Sequence, residues 1–269
     1  MNAIKIGIVG AAGRMGKMLI EEVGLTSGTV LAAACERAGH EAVGQDAGAF
    51  AGLKPVGVKI GAGAEDVFKA SDVVIDFTVP RATAAHAALA AAGKTALVIG
   101  TTGIAGAEAQ AIRDAGRSVP IVWAPNMSAG VNLMFALTER VAKALGPDYD
   151  IEILEMHHKH KVDAPSGTAL GLGEAAARGR GVSLKDMAAR GRDGITGARK
   201  TGAIGFAALR GGDVVGDHYV MFAGEGERLE LVHKGSSRRI YSRGALRAAL
   251  WLMGKKPGVY DMADVLGLR

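Results

Sequence analysis

A strand, a glycine turn and the start of a helix follow one another within residues 4–16, which read IKIGIVGAAGRMG. The first six residues are mostly apolar, which predicts a short buried strand. Glycines then recur at every third position from Gly10 to Gly16, and larger apolar side chains continue at helical spacing to Val23. Gly24 is the expected end of this helix, since glycine is common just after a last helical turn.

A glycine turn between a strand and a helix is where Rossmann folds bind the pyrophosphate of a dinucleotide. The backbone of such a turn can approach the phosphates, and the helix N-terminus supplies partial positive charge. The spacing here is G-x-x-G-x-x-G rather than G-x-G-x-x-G, so a tight turn without a ligand is the alternative. Glu36 is expected to accept hydrogen bonds from the adenine ribose, whereas Arg37 would face the 2′-phosphate of NADP.

Four further apolar runs alternate with helical patterns, which is typical of a parallel sheet covered on both faces. The runs are 30–35, 72–78, 95–99 and 120–124, and an alanine-rich helix is expected at 81–92. Because the carboxyl ends of parallel strands meet at one edge, the turns after these runs should line one cofactor cleft. Phe77 ends one run and is expected near a nicotinamide ring, with turns 100–103 and 124–127 at the same edge.

The pattern changes after Asn126, and the following residues predict a second, α+β domain with an open mixed sheet. The expected helices and strands of this part are 133–145, 150–156, 167–178, 203–209, 217–222, 228–233 and 246–253. Residues 179–200 are glycine-rich and weakly periodic, which favours a long excursion over a packed element.

The predicted fold class is therefore α/β, with a Rossmann-like doubly wound parallel sheet followed by the second domain. We expect a dinucleotide-binding domain at 1–129 and the second domain at 130–238. The amphipathic helix within 239–269 is expected to return to the first domain.

Composition excludes several classes of protein. Of 269 residues, 49% are apolar and 22% are charged, which is ordinary for a globular protein and unlike a disordered or fibrous chain. No run is long and apolar enough to span a membrane, and the residues after Met1 lack a signal-peptide pattern. Cys35 is the only cysteine, so we expect no disulfide framework and a reducing, cytoplasmic location.

The net charge of +5 is unevenly distributed. Residues 159–200 hold nine Lys or Arg against four Asp or Glu, and residues 234–256 hold seven basic residues with no acidic one. Because only 4% of residues are aromatic, these segments suit small carboxylates or phosphates better than stacked bases. No nucleic-acid partner is expected, since no recognised binding module is present.

The most informative stretch is residues 155–169, which read EMHHKHKVDAPSGTA and place three histidines within four residues. A metal site is one interpretation, but Lys159 and Lys161 would repel a cation and no cysteine completes a ligand set, so we expect no metal. A solvated, charged strand end is the second interpretation. The third is a site for an anionic substrate that must gain a proton, because histidine changes charge near neutral pH.

The third interpretation is favoured by the residues next along the chain. Residues 165–168, Pro-Ser-Gly-Thr, predict a helix start whose N–H groups and hydroxyls would bind a carboxylate. Cationic side chains and a helix N-terminus after a cofactor-binding domain indicate reduction of a small, multiply charged acid.

Three motifs together closely resemble the 4-hydroxy-tetrahydrodipicolinate (dihydrodipicolinate) reductase family of lysine and diaminopimelate biosynthesis. They are VGAAGRMG at 9–16, GTTG at 100–103 and EMHHKHKVDAPSGTA at 155–169, and the resemblance extends over essentially the whole chain. It implies that NADH or NADPH delivers a hydride to the cyclic product of the preceding synthase in that pathway, yielding tetrahydrodipicolinate with loss of water. It also implies a homotetramer assembled through the sheet of the second domain, which would be a substrate-binding and tetramerisation domain.

The resemblance assigns roles to individual residues of this chain. His157 would be the acid–base residue, Lys161 the proton donor and His158 a substrate ligand, with Gly167 and Thr168 binding a substrate carboxylate. The residues expected to line the cofactor are Gly10, Ala11, Ala12, Gly13, Arg14, Met15, Glu36, Arg37, Phe77, Gly100, Thr101, Thr102, Ala124, Pro125, Asn126 and Met127.

Two other functions are alternatives to this one. Another two-domain dehydrogenase, acting on aspartate or homoserine, is the enzyme alternative, and the 155–169 motif argues against it. A catalytically silent nucleotide sensor is the non-enzyme alternative, and it would have no use for His157, Lys161 and Thr168 together.

Overall fold

The computed structural model describes residues 3–269, so residues 1 and 2 of the predicted first domain lie outside the described residues. The chain forms two compact units. The first comprises the chain up to Ser128 together with Arg239–Gly267, and the second comprises Ala129–Arg238. Within the described residues, no helix is long and apolar enough to cross a membrane.

The first unit contains a seven-stranded sheet in which every pairing between strands is parallel. Its strands are β1 (Ile4–Val9), β2 (Thr29–Cys35), β3 (Ile60–Gly61), β4 (Val73–Asp76), β5 (Ala96–Ile99), β6 (Pro120–Trp123) and β12 (Gly258–Tyr260). Their order across the sheet is β12-β6-β5-β4-β1-β2-β3. The chain order therefore reverses at β1, which lies between β2 and β4.

Helices cover both faces of this sheet. They are α1 (Arg14–Leu25), α2 (Ala47–Phe50), α3 (Glu65–Ala70), α4 (Pro80–Gly93), α5 (Gly106–Ala115), α9 (Arg239–Leu252) and α10 (Met262–Leu266). On one face, Ile8 of β1 belongs to a buried cluster with Leu19 of α1 and Leu246 of α9. On the other face, Leu97 of β5 belongs to a cluster with Ile112 of α5. Burial on both faces explains the near-continuous apolar runs, and the predicted doubly wound sheet is confirmed.

Some boundaries in the first unit differ from the prediction. Helix α1 does not end at Gly24 but continues to Leu25, and the N–H of Thr26 bonds to the carbonyl of Val23. Strands β3 and β12 were not predicted, because two or three residues carry too little pattern to distinguish a strand from a loop.

The second unit contains a five-stranded mixed sheet in the order β11-β10-β7-β9-β8. Its elements are α6 (Ala129–Leu145), a 3-10 turn (Gly146–Asp148), β7 (Asp150–His157), α7 (Gly167–Arg180), α8 (Leu184–Met187), β8 (Ala188–Arg190), β9 (Ile204–Arg210), β10 (Gly216–Gly224) and β11 (Glu227–Gly235). Strand β7 lies at the centre, antiparallel to β10 and parallel to β9. This arrangement confirms the predicted mixed sheet.

Strand β7 alternates strictly between buried and half-buried side chains. Ile151 and Ile153 lie in the apolar cluster that includes Met134 of α6 and Leu172 of α7. Because side chains on a strand repeat every second residue, the next two buried positions on this face are an acidic residue and a histidine, at 155 and 157.

The prediction of a long excursion at 179–200 was wrong for its first half. Helix α7 continues to Arg180, and the short elements α8 and β8 follow, with β8 forming the edge of the sheet beside β9. Leu184 is buried in the core of the second unit. Helices and strands of three or four residues are too short to show a helical or strand periodicity in the sequence. The glycine-rich composition of the segment therefore led to the prediction of a loop.

Candidate active site

The turn after β1 and the first residues of α1 each have a position that only glycine fits. Gly10 has φ +70°, a backbone conformation that favours glycine, and a Cβ there would lie 2.8 Å from Thr78 Cγ2. A Cβ on Gly16 would lie 2.3 Å from the carbonyl oxygen of Gly10, so glycine lets α1 pack directly against the turn. Gly13 is the exposed N-cap residue of α1. The turn therefore offers open backbone and a helix N-terminus, which fits a pyrophosphate.

Glu36 lies just after β2 and contacts this turn directly. Its Oε2 accepts a hydrogen bond from the backbone N–H of Ala12 at 3.1 Å, and its Oε1 accepts one from the N–H of Arg37 at 3.0 Å. The side chain of Arg37 is exposed. The Glu36 carboxylate thus lies against the turn with Arg37 next to it in the chain, where the adenine ribose of a dinucleotide lies in doubly wound folds.

The other residues predicted to line the cofactor lie at the same edge of the sheet. Phe77 follows β4, residues 100–102 follow β5 and residues 124–127 follow β6, all of which run parallel to β1. A Cβ on Gly100 would lie 2.3 Å from the Phe77 ring, so the ring packs against that glycine. Doubly wound sheets bind ligands at the edge where the strand order reverses, which here is beside β1.

A buried polar network behind these turns was not predicted. Asp76 ends β4 and is fully buried, and its Oδ1 accepts hydrogen bonds from the N–H and hydroxyl of Thr78 at 2.8 and 2.6 Å. Its Oδ2 lies 2.8 Å from His86 Nδ1, and Thr101 Oγ1 donates to Oδ1 at 3.3 Å. Burial favours a higher pKa for Asp76, but the interactions with His86 and then Thr78 lower that pKa below its usual value. An ionised carboxylate therefore links the turns after β4 and β5.

In the second unit, His157 ends β7 on its buried face and is 8% exposed. Its Nδ1 lies 2.6 Å from Oε2 of Glu155, whose side chain is fully buried. Arg210, the last residue of β9, donates to the two Glu155 oxygens at 2.8 and 2.9 Å. Burial favours a higher pKa for Glu155, but hydrogen bonds from Arg210 and His157 lower that pKa below its usual value. The carboxylate beside His157 is therefore charged.

The start of α7 is joined to the same carboxylate. The backbone N–H of Ser166 donates to Glu155 Oε1 at 3.0 Å, and the Ser166 hydroxyl caps the helix by accepting from the N–H of Ala169 at 3.1 Å. Gly167 and Thr168 are the first two residues of this helix. The predicted carboxylate-binding residues therefore lie at the N-terminus of a helix, whose dipole favours an anion.

His218 is a further histidine of this site that was not predicted. It lies on β10 directly opposite Glu155, and its ring meets the ring of His157 edge to face, with centroids 5.1 Å apart. Burial, and then the nearby charge of His157, lower the pKa of His218 to about 3. His218 is therefore neutral near neutral pH, and it lies 3.2 Å from the hydroxyl of Ser166 through Nε2.

The loop after β7 carries the remaining predicted residues. Lys161 Nζ lies 2.7 and 2.9 Å from the two carboxylate oxygens of Asp163, and this contact lowers the pKa of Asp163. His158 Nε2 lies 3.4 Å from a guanidinium nitrogen of Arg238, and burial and then the Arg238 charge lower the pKa of His158. Within residues 3–269, no group of three or more His, Cys, Asp or Glu side chains could hold a metal ion.

The structure thus brings His157 and the start of α7 together through Glu155, a residue of the sequence motif for which no role was predicted. Arg210 and His218 were missed because they reach the site from β9 and β10, more than 50 residues further along the chain. One signal was available in the sequence. Glu155 and His157 lie an even number of positions from the buried apolar residues of β7, so their side chains are expected on the same, buried face of the strand.

These features define a two-domain oxidoreductase that binds a nicotinamide dinucleotide. The family described as "Dihydrodipicolinate reductase, N-terminus" matches residues 4–127, and "Dihydrodipicolinate reductase, C-terminus" matches residues 130–266. The chain belongs to the dihydrodipicolinate reductase family. The family and the enzyme class expected from the sequence are confirmed.

Individual relatives agree over the full length. The chain is 53% identical to the 4-hydroxy-tetrahydrodipicolinate reductase of Magnetococcus marinus over 266 residues, covering 99% of each chain. It is 57% identical to that of Parvibaculum lavamentivorans, covering 98% of each. The fold is similar to dipicolinate-bound dihydrodipicolinate reductase from Paenisporosarcina sp. TG-14, with a TM-score of 0.79, 24% identity, and 97% and 99% of the two chains covered.

Proposed function

We propose that this chain reduces 4-hydroxy-tetrahydrodipicolinate to tetrahydrodipicolinate with loss of water, using NADH or NADPH, in lysine and diaminopimelate biosynthesis. The observation that carries this proposal is the contact between a buried, charged Glu155 and His157 beside the start of α7. Burying a charge is costly unless the charge is hydrogen-bonded, and a protein that only senses a nucleotide has no need of such a group here.

The cofactor, when bound, supplies a hydride to the substrate. The turn formed by residues 10–15 would hold its pyrophosphate, and Glu36 with Arg37 would contact the adenine ribose. Residues 100–102, 124–127 and Phe77 would surround its nicotinamide half. This assignment is supported by their common position at the carboxyl edge of one parallel sheet.

The substrate is a dicarboxylate that must also accept a proton. His158 and the N–H groups of Gly167 and Thr168 would bind its carboxylates, and His157 would act as the acid–base residue. Lys161 would donate a proton. Its partner Asp163 is 55% exposed, so breaking this ion pair costs only about 1 kcal/mol.

The direct test is the oxidation of NADH and NADPH by the purified chain, followed by the loss of reduced-nicotinamide absorbance. We expect oxidation only when freshly made product of the preceding synthase is added, because the hydride needs that acceptor. Aspartate semialdehyde serves as the control acceptor for a homoserine dehydrogenase. Turnover with that aldehyde and none with the synthase product would refute the proposal.

Cofactor choice gives a separate prediction. We expect wild type to use NADH and NADPH within about a hundredfold of each other, since Glu36 favours a ribose diol and Arg37 tolerates a 2′-phosphate. Arg37→Ala should weaken NADPH binding about tenfold, the effect of one exposed charge-assisted contact, and should change NADH binding far less. Calorimetric titration of both cofactors measures this, and Arg37→Lys is the charge-conserving control. Equal weakening of the two cofactors would contradict the role of Arg37.

Thr168 provides a test of the carboxylate site. Pyridine-2,6-dicarboxylate should compete with substrate, because it presents two carboxylates on a planar ring. Thr168→Val keeps the shape but removes the hydroxyl, so it should raise the inhibitor Ki and the substrate KM together by about tenfold or more, as for one lost charge-assisted hydrogen bond. Thr168→Ser retains the hydroxyl and should stay near wild type. An unchanged Ki in Thr168→Val would exclude the hydroxyl from binding.

We also propose a homotetramer assembled through the sheet of the second unit, and a cytoplasmic location. The sheet face opposite α6 and α7 carries an apolar row across four strands, formed by Ala207, Leu154, Tyr219 and Val232 in register. Val232 is 47% exposed in the single chain, which supports burial of this face by another subunit. Analytical ultracentrifugation tests the assembly, and a monomer at micromolar concentration would refute it.

A further inference from the structure

We infer that Glu155, held by Arg210, is a positioning residue that keeps the hydrogen on Nδ1 of His157 and leaves Nε2 as the nitrogen that gains and loses a proton. This inference rests on the proposed function in that His157 acts there as the acid–base residue. It assigns Glu155 and Arg210 to the reaction without contact with the substrate.

The Glu155 carboxylate is completely paired. Oε2 accepts from His157 Nδ1 at 2.6 Å and from Arg210 at 2.8 Å, and Oε1 accepts from Ser166 N–H at 3.0 Å and from Arg210 at 2.9 Å. With two donors on each oxygen and no exposure, the carboxylate has no freedom to rotate away from the histidine. Its orientation is therefore set by β9 and by the start of α7.

This pairing decides which nitrogen of the imidazole ring carries the hydrogen. An ionised carboxylate only accepts hydrogen bonds, so a close contact to Nδ1 requires the hydrogen to be on Nδ1 in the neutral ring as well as in the charged ring. The proton that comes and goes is then the one on Nε2. On the neighbouring strand, a Cβ on Gly216 would lie 2.9 Å from His157 Nε2, so the glycine keeps side-chain atoms of β10 away from that nitrogen.

The same pair of charges is linked to the substrate-binding segments. Arg210 also donates to the backbone carbonyl of Asp163 at 2.6 Å, in the loop that carries Lys161. Ser166, the N-cap residue of α7, donates to Glu155 through its backbone. One carboxylate and one guanidinium thus set the relative positions of the acid–base histidine, the lysine loop and the start of α7.

The groups that face His157 come from every strand and loop packed around it. Glu155 and His158 are its neighbours on β7 and just beyond, His218 packs from β10, and Arg210 on β9 pairs with the same Glu155 carboxylate. In the loop after β7, Lys161 and Asp163 add a pair of opposite charges. In direct contact with the His157 ring, Glu155 is negative and His218 is neutral. Glu155→Gln therefore removes the negative charge that lies 2.6 Å from Nδ1 of His157.

The main test variant is Glu155→Gln, which keeps the shape and removes the charge. We expect kcat to fall about 100-fold, within the range for acid–base catalysis, with KM and NADH affinity changed less than about threefold. The alkaline limb of the kcat pH profile should move to lower pH, because the negative charge in contact with the His157 ring is lost.

Glu152→Gln is a matched control on the same strand. Glu152 also accepts hydrogen bonds from two arginines, Arg192 and Arg199, but its side chain lies on the opposite face of β7 from His157. We expect it to leave kcat and the pH profile at wild-type values. A kcat loss in Glu155→Gln no larger than the loss in Glu152→Gln would overturn the inference.

Nitrogen-15 NMR of the histidine rings tests the tautomer without any turnover. In wild type we expect His157 Nδ1 to stay protonated across the titration while Nε2 titrates, and His157→Gln assigns the signal. Glu155→Gln should show a mixture of tautomers, since an amide either accepts or donates. If Glu155→Gln does not fold, Arg210→Lys is the alternative variant. It keeps the positive charge but holds the Glu155 carboxylate less rigidly, so we expect kcat to fall about tenfold because His157 is less precisely oriented.

The outcomes separate this inference from the proposed function. If wild type turns over the synthase product and Glu155→Gln keeps its rate and pH profile, the inference is wrong and the function stands. If wild type does not turn over that product, the function is wrong, and the wild-type tautomer alone decides the inference. A hydrogen found on Nε2 of neutral His157 in wild type would overturn it.

Discussion

His157→Gln should lower kcat by about 10²–10⁴-fold, the range expected when an acid–base residue is removed. Gln can still form a hydrogen bond from the end of β7, but it does not exchange a proton near neutral pH. Because the residues proposed to bind the substrate carboxylates belong to α7, we expect KM to change less than about fivefold. Steady-state kinetics with both cofactors measure the effect.

The neighbouring histidine His160 provides the control for this prediction. It is exposed, and its ring lies 6.3 Å from that of His158, so it shares the sequence cluster without a role in the proposed reaction. His160→Gln should retain kcat within about twofold. If His157→Gln keeps near-normal turnover, the acid–base function belongs to another residue, and His158 becomes the first to test.

The parts of the fold that could be predicted are those in which the local pattern is long enough to be unambiguous. Strands β1, β2 and β7 each hold six or more residues, and their apolar spacing follows directly from burial on two faces or one. Strand β8 is three residues long and is defined only by pairing with β9. Such a pairing depends on where the sheet ends in space, which no local pattern encodes.

In the site, too, features formed by neighbouring residues could be predicted, whereas contacts between residues distant in sequence could not. The helix start at Ser166 and the glycine turn at Gly10 have sequence signatures because their geometry is local. The function of Glu155 depends on Arg210, which reaches it from β9, 55 residues further along the chain. Likewise, Asp76 is one residue in an apolar run, and only the packing of α4 brings His86 to it. Long-range partners of buried charges therefore require the structure.

A carboxylate at a buried strand position is nevertheless a usable signal in a single sequence. An acidic residue is rarely fully buried without a charged or hydrogen-bonding partner. On β7, Glu155 alternates in step with Ile153 and His157, so all three side chains lie on the same face of the strand. This spacing predicts a buried acidic residue beside a histidine. The alternation of side chains along a strand therefore identifies the buried residue that needs a partner. Only the three-dimensional structure identifies that partner.

Replacing Lys161 should also lower kcat strongly, and the substituted side chain can separate the two contributions of lysine. Lys161→Ala removes both the positive charge and the proton donor, so we expect kcat to fall about 10²–10⁴-fold and KM to rise. Lys161→Arg keeps the charge and its contact with Asp163, but a guanidinium does not release its proton in proteins. We therefore expect Lys161→Arg to recover KM without recovering kcat.

Asp163→Asn completes this set, because it removes the partner of Lys161 and leaves the lysine in place. The Asp163 carboxylate is 55% exposed, so the loss of this ion pair should change kcat by less than about fivefold, the equivalent of about 1 kcal/mol. Steady-state kinetics of the three variants with saturating NADH give the comparison. If Lys161→Arg turned over at the wild-type rate, positive charge at this position would be sufficient. The proton delivered to the substrate would then have to come from His157 or from water.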